Sequence, residues 1–152
     1  MKLSTKGRYG LRAMIDLAMF CEEETVSISC IAARQHISES YLEQLVRKLR
    51  KAELVVSSRG AQGGYRLARP AAEISVGDIL RALEGNLDAV ECPGLKEDQG
   101  CEGADFCVTK FVWQKINDSI TEAVDEIHLD QLVNESRKAW ENKKDISIKC
   151  EN

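Results

Sequence analysis

Three cysteines, Cys92, Cys101 and Cys107, fall within sixteen residues in the spacing C-x8-C-x5-C. Glycines surround the first two, and the third stands where an apolar helical pattern begins. A helix N-terminus favours thiolate over thiol, and thiolate is the form that binds metal. Soft sulfur ligands select iron–sulfur clusters or zinc. Structural zinc ordinarily shows C-x2-C knuckles and four evident ligands. Here the gaps are loose and only three cysteines are local, which suits a labile sensing cluster better than structural zinc. Metal-free thiols, either silent or oxidant-sensing, are the plain alternative. Of the other cysteines, Cys21 and Cys30 fall on helical faces and read as small buried apolar residues, while Cys150 lies in a polar tail. The two histidines, His36 and His128, read as structural or solvent-facing rather than as ligands. There is no Ser/His/Asp set and no phosphate loop, so an enzyme is not expected.

A second constellation, Ser38–Leu67, could meet DNA. Leu42, Leu45, Val46 and Leu49 recur at i, i+3, i+4 and i+7, the buried stripe of a helix. Ser38 can cap its start, with Ser40 and Glu43 forming a competing capping box. Either way Ser40, Glu43, Gln44, Arg47 and Lys48 occupy the opposite face, beside Tyr41. Short polar groups at the start of a helix, followed by cations, suit entry into a major groove: base edges first, phosphates later. Two β-prone runs follow, Val55–Ser58 and Tyr65–Leu67, joined by Arg59-Gly60-Ala61-Gln62-Gly63-Gly64. Three glycines in six residues permit a tight turn and close approach to another surface, with Gln62 and Gly63 at its tip. Arg59 could enter a narrow minor groove. The plain alternative is a hairpin that only completes a small domain.

The rest of the chain must position these two sets. A length of 152 residues suits one small domain with an appendage, and 43% hydrophobic against 30% charged residues excludes disorder. The net charge of −4 alone argues against a polyanion partner, but its distribution reverses that reading. Residues 1–69 hold 12 Lys/Arg against 7 Asp/Glu, and residues 70–152 hold 9 against 18, so the front is +5 and the back −9. No long uncharged apolar run is present and the first residues are polar. Neither a membrane span nor a signal peptide is therefore expected, and the expected compartment is the cytoplasm, where thiols stay reduced.

In order, a first helix is expected from a Ser4 or Thr5 cap to about Cys21, with Lys2, Lys6, Arg8 and Arg12 clustered near its start for phosphates. A second, short helix over Ser29–Gln35 and a turn at His36–Ser38 complete a helix-turn-helix. Pro70 closes the winged unit, and Ser75 caps a helix through Glu84 that stops at Gly85. A glycine-rich acidic loop then leads to a long amphipathic helix over about Asp105–Ile127. Val112, Trp113, Ile116, Ile120, Ala123, Val124 and Ile127 form its stripe, fit for a helix–helix dimer seam. Leu129–Trp140 could fold back as cover. The expected class is mainly α with a small β-hairpin wing, a winged helix-turn-helix plus a long dimerisation helix. The expected divisions are a DNA-binding unit over 1–84, a cysteine-bearing cluster loop over 85–104, dimerisation and C-terminal helices over 105–140, and a flexible tail over 141–152.

The segments MKLSTKGRYGLRAMIDLA, ISESYLEQLVRKLRKAELVVSSRGAQGGYRLARP, ISVGDILRALEG and DFCVTKFVWQKI together resemble the bacterial winged-helix regulators of the IscR/NsrR/CymR type, over nearly the whole chain. The resemblance implies a homodimer built on the long helix, two winged units spaced for a palindromic operator in double-stranded DNA, and an iron–sulfur cluster on Cys92, Cys101 and Cys107, with [2Fe-2S] favoured over [4Fe-4S]. Two departures leave the fourth ligand open. The first cysteine gap is longer than in IscR-like members, and Lys110 stands where those members carry a histidine. Arg8 stands where NsrR-like members supply an acidic ligand from the partner chain. Asp105, Glu102, a partner residue or a small exogenous ligand are the options. The alternative is a cluster-free thiol- or zinc-dependent repressor, or one regulated by a partner protein as in CymR-like members.

Overall fold

The computed structural model describes residues 3–22, 24–97 and 100–142. Six α-helices and one hairpin run in the order α1 (Thr5–Phe20), α2 (Ile28–Gln35), α3 (Glu39–Lys51), β1 (Val55–Ser58), β2 (Gly64–Leu67), α4 (Val76–Glu84), α5 (Val108–Glu126) and α6 (Leu129–Glu141). Short 3-10 turns lie at Ala71–Glu73 and Pro93–Leu95. The mainly α class with a β-hairpin wing is therefore the observed one.

Local chemistry explains the boundaries. Ser4, Ser27, Ser38 and Ser75 each stand at an N-cap with extended backbone, and each side chain accepts from an N–H of the first turn. Ser38 takes the cap of α3, so Ser40 lies inside the helix and the competing box with Glu43 is not used. At the end of α2, His36 adopts the left-handed conformation (φ 54°, ψ 46°), and Ile37 N–H returns to the Ala32 carbonyl at 3.0 Å. That reversal is the turn between the two helices.

The hairpin is antiparallel, with Val55 opposite Leu67 and Ser58 opposite Gly64. Val26 adds an isolated bridge, exchanging two 2.8 Å hydrogen bonds with Tyr65. Gly64 must be glycine there, because a Cβ would sit 2.7 Å from the Val26 carbonyl oxygen.

One core joins α1 to α4, β1 and α6: Met14, Ile31, Leu42, Leu45, Leu49, Leu54, Ile79, Leu83 and Leu129 are each no more than 1% exposed. The expected stripe of α3 is buried throughout, and α6 does fold back, adding Leu129 and Val133 to this core. A smaller cluster of Val76, Leu80 and Leu87 receives Val124 and Leu132.

Several boundaries depart from expectation, two of them by one residue: α2 starts at Ile28 rather than Ser29, and β2 at Gly64 rather than Tyr65. The long helix starts at Val108 rather than Asp105, because Gly103–Phe106 closes a turn (Phe106 N–H to Gly103 O, 3.1 Å) and Cys107 takes the N-cap. Glu141, assigned to the tail, is the last residue of α6; residues 143–152, including Cys150, lie outside the described residues. Cys30 is buried as expected, whereas Cys21 is only half-buried, since α1 ends one residue before it and leaves it at the C-cap.

A buried ion pair locks α1 to α2. Asp16, 2% exposed, accepts from Arg34 Nη2 at 2.7 Å and Nε at 3.0 Å, and from Gln35 Nε2 at 2.8 Å. Removing one partner of such a pair strands the other charge, at a cost of about 3–5 kcal/mol. Asp16→Ala should therefore lose stability in that range by urea unfolding. Arg81→Ala, which removes a half-exposed pair, should lose about 1 kcal/mol or less. Equal losses in the two variants would refute the assignment.

Candidate nucleic-acid interface and cysteine loop

The polar face of α3 is open. Ser38, Ser40, Glu43, Gln44, Arg47 and Lys48 are all exposed, as are Lys6 and Arg8 on the first turn of α1. The two starts are tied together: Tyr41 Oη donates to Thr5 Oγ1 at 3.2 Å, and the Tyr41 ring meets Tyr9 edge-on at 6.1 Å. Tyr41 is thus half-buried, and it sets Lys6 and Arg8 beside the start of the recognition helix. Lys48 does double duty, because its Nζ donates to the Leu83 carbonyl at 3.1 Å and caps the end of α4. Arg12 stacks on Tyr9 and donates to Gln35, so it braces the helix-turn-helix from inside the basic cluster.

The wing turn is tight. Gly60 has φ 115°, and Gly63 N–H returns to the Gly60 carbonyl at 2.9 Å. A Cβ on Gly63 would sit 2.7 Å from the Ser58 carbonyl oxygen. The Gln62 carbonyl accepts from Thr25 Oγ1 at 2.7 Å, which anchors the turn to the segment before α2 and leaves Arg59 exposed.

Glu84 fixes the basic start of α1. Its carboxylate accepts from Ser4 N–H (2.9 Å), Ser4 Oγ (2.6 Å) and Gly7 N–H (2.9 Å), closing that helix end from the neighbouring helix. No sequence rule predicts this, since the cap lies 80 residues away. Two glycines one α1 turn apart, Gly7 and Gly10, were the available signal: a Cβ at Gly10 would collide with Leu83.

The cysteine loop runs from Gly85 to Cys107. Asn117 on α5 holds its first part, accepting from Ala89 N–H at 2.9 Å. Gly94 marks where its two arms meet, as a Cβ there would lie 3.4 Å from Lys110 Cδ and 3.7 Å from both Ala104 Cβ and Cys92 Sγ. Cys92 and Cys107 are half-buried, and Cys101 is exposed. The Thr109 hydroxyl, 3.1 Å from Cys107 Sγ, and the Lys110 backbone N–H lower the Cys107 thiol pKa below its ordinary value, outweighing burial. Among the described residues no three His, Cys, Asp or Glu side chains are grouped closely enough to hold a metal ion as they stand. The chemistry of the donor set nonetheless fits a soft-metal group: three reduced thiols on one loop, one of them favoured as thiolate at a helix N-terminus. Asp105 and Glu102 are exposed within the same loop.

Residues 3–135 match the family model described as "Rrf2: Iron-dependent Transcriptional regulator". The chain belongs to the Rrf2 family. It is 46% identical to the "HTH-type transcriptional regulator IscR" of Pectobacterium carotovorum over 134 residues, 88% of this chain and 80% of that protein. A solved structure of IscR from T. potens is 50% identical, with a TM-score of 0.73, covering 91% of this chain and 90% of that one. CymR of B. subtilis, a "Global Cysteine Regulator", is 44% identical at a TM-score of 0.73, covering 88% and 97%. This Rrf2 chain is a DNA-binding transcription regulator of the IscR type, a role without catalysis. No helix among its described residues is long and apolar enough to cross a membrane.

Burial pushes the Glu84 carboxyl up, but the hydrogen bonds from Ser4 and Gly7 prevail and hold it below the usual carboxylate value. A depressed folded pKa contributes stability that is present above the unfolded value, about 4.3, and is lost as pH falls through the folded one. Glu84→Gln should therefore be less stable than the parent at neutral pH, by about 1–3 kcal/mol, with the two stabilities converging in acid. A gap that stays constant down to acid pH would count against this capping role.

Proposed function

We propose that this Rrf2 chain is a homodimeric regulator of palindromic operators whose DNA affinity is set by an iron–sulfur cluster held by Cys92, Cys101 and Cys107. The observation that carries the reading is the position of Cys107. It is the N-cap of α5, and the other end of α5 is fastened to the winged unit. Val76 N–H donates to the Ile127 carbonyl at 2.8 Å, Leu129 N–H to the Ile74 carbonyl at 2.9 Å, and Arg81 Nη2 to Asp125 Oδ1 at 2.5 Å. A change of ligation at the cysteine loop is thereby applied to a rigid helix that is bolted to the reading head.

Dimerisation follows from the same helix. No residue of α5 is buried in the single chain, and Val112, Ile116 and Ile127 are 48%, 39% and 40% exposed along the apolar stripe. A second copy would cover them, as a helical seam requires. When bound, the cluster would supply a rigid inorganic tie between the three sulfurs, with a charge that depends on its redox state. Cys92 and Cys101 bring thiols from the loop, and Cys107 brings the favoured thiolate. The fourth position falls to Asp105, Glu102, a partner residue or an exogenous ligand. The family description names iron dependence, which supports iron–sulfur over zinc.

On the duplex, Ser38, Ser40, Glu43 and Gln44 face base edges, and Arg59 enters the minor groove. Lys6, Arg8, Arg47 and Lys48 meet phosphates, while Tyr41, Gln62 and Gly63 shape the approach. Cluster loading must shift DNA affinity by a coupling of about 1–3 kcal/mol to serve as control.

Oxygen-free purification should give a brown protein whose iron and sulfide counts match a [2Fe-2S] group. Serine at any of the three cysteines should abolish the visible absorbance and remove the difference in duplex binding between loaded and stripped protein. A colourless protein carrying zinc, or one whose operator binding ignores its iron content, would instead favour a thiol- or zinc-dependent repressor.

Two further variants test the reading head. Glu43→Ala should relax sequence preference in a binding selection, because a carboxylate repels phosphate and accepts only from cytosine or a similar donor. Arg59→Ala should weaken binding at narrow-groove sites by about 1–3 kcal/mol. Unaltered selectivity in the first, or unaltered affinity in the second, would remove that residue from the interface.

A further inference from the structure

A cavity of about 320 Å³ lies on the flank of the domain, between the base of the wing, the end of α1 and the first turns of α6. That volume is at the lower end of ordinary small-molecule sites, about 300–1,000 Å³. Its apolar wall is formed by Ala18, Leu67 and Val133. Five charged side chains line it, and most of that charge is matched. Arg137 pairs with Glu22, and Arg69 pairs with Asp78 outside the cavity at 3.5 Å. Two groups are left over. Asp130 Oδ1 is buried and has no hydrogen-bond partner among the described residues. Arg66, on β2, is exposed, and its guanidinium pairs with no carboxylate among the described residues.

A buried carboxylate oxygen without a donor costs free energy unless something donates to it. One unmatched carboxylate and one unmatched guanidinium in the lining of a small apolar-walled cavity complement a dipolar molecule: an ammonium for the first, a carboxylate for the second, and a short side chain for the wall. We propose that this cavity binds a free α-amino acid, with its ammonium on Asp130 and its carboxylate on Arg66. The site is separate from the cysteine loop and from the polar face of α3. It rests on neither the cluster nor the dimer.

The test is calorimetric titration of the full-length protein with each standard L-amino acid in turn. It is followed by the N-acetyl derivative and the decarboxylated amine of any binder, and by inorganic phosphate. One amino acid or a small set should bind saturably, while its acetylated and decarboxylated counterparts and phosphate should not. Asp130→Asn and Arg66→Gln should each weaken binding about tenfold or more. Should the first variant misfold, the second, on an exposed strand position, carries the test alone, with far-UV circular dichroism as the check on folding. Absence of binding by every amino acid would overturn the proposal. So would binding that neither variant weakens, or phosphate binding alone, which would mark an anion site.

Discussion

The carboxylate of Glu84 is the joint on which this molecule is assembled. It closes the N-terminus of α1 with three hydrogen bonds from Ser4 and Gly7. The closeness of the two helices is possible only because Gly7 and Gly10 carry no side chain where Glu84 and Leu83 press in. Helix α4 thereby becomes the centre of the structure. On one side it holds the basic start of α1, and through the Leu83 carbonyl it receives Lys48 from the recognition helix. On the other it holds α5, because Gly77 carries no side chain where Asp125 presses in, and Arg81 on the same helix bonds across to Asp125. The reading head and the long helix never need to touch, since both are fixed to the same nine residues.

The contrast between α5 and the other helices has a physical basis. Helices α1 to α4 and α6 each place residues in a core, as an amphipathic helix must to be stable in water. Helix α5 has nineteen residues and buries none of them, though it carries an apolar stripe. Its first turns carry further exposed apolar groups: Val108 at 81% and Phe111 at 76%, with Phe106 at 90% just ahead. The exposed apolar surface of the chain is thus concentrated beside the cysteine loop.

Much of this was legible in the sequence because the signals are local. The period of Leu42, Leu45, Val46 and Leu49, the serine caps and the glycine turn each depend on neighbours within four or so residues, and each sits where the local chemistry puts it. What escaped depends on residues far apart. The bond between Asp16 and Arg34 joins residues 18 apart in the chain, beyond the reach of a local pattern. Arg12 reads as a surface cation, and its bonds to Gln35 and its place over the Tyr9 ring come from residues brought together by the fold, as does the Lys48 bond to the end of α4. Helix α5 begins at Val108, three residues after the expected Asp105, because Asp105 and Phe106 continue the helical composition while the turn at Gly103–Phe106 and the cap at Cys107 break it. The cysteine spacing does not say how near the three sulfurs come to one another, and among the described residues they form no group that would hold a metal ion as they stand.

The buried bond between Asp16 and Arg34 also bears on how such a regulator can diverge. It pins the crossing of α1 and α2 from within, and the His36 turn then sets the direction of α3. The scaffold therefore has little freedom to tilt α3, whereas the side chains on its exposed face, such as those at positions 40, 43 and 44, can be exchanged without disturbing the core. The frame and the surface it presents are thus separable: the outward-facing positions carry no part of the packing that fixes where they point.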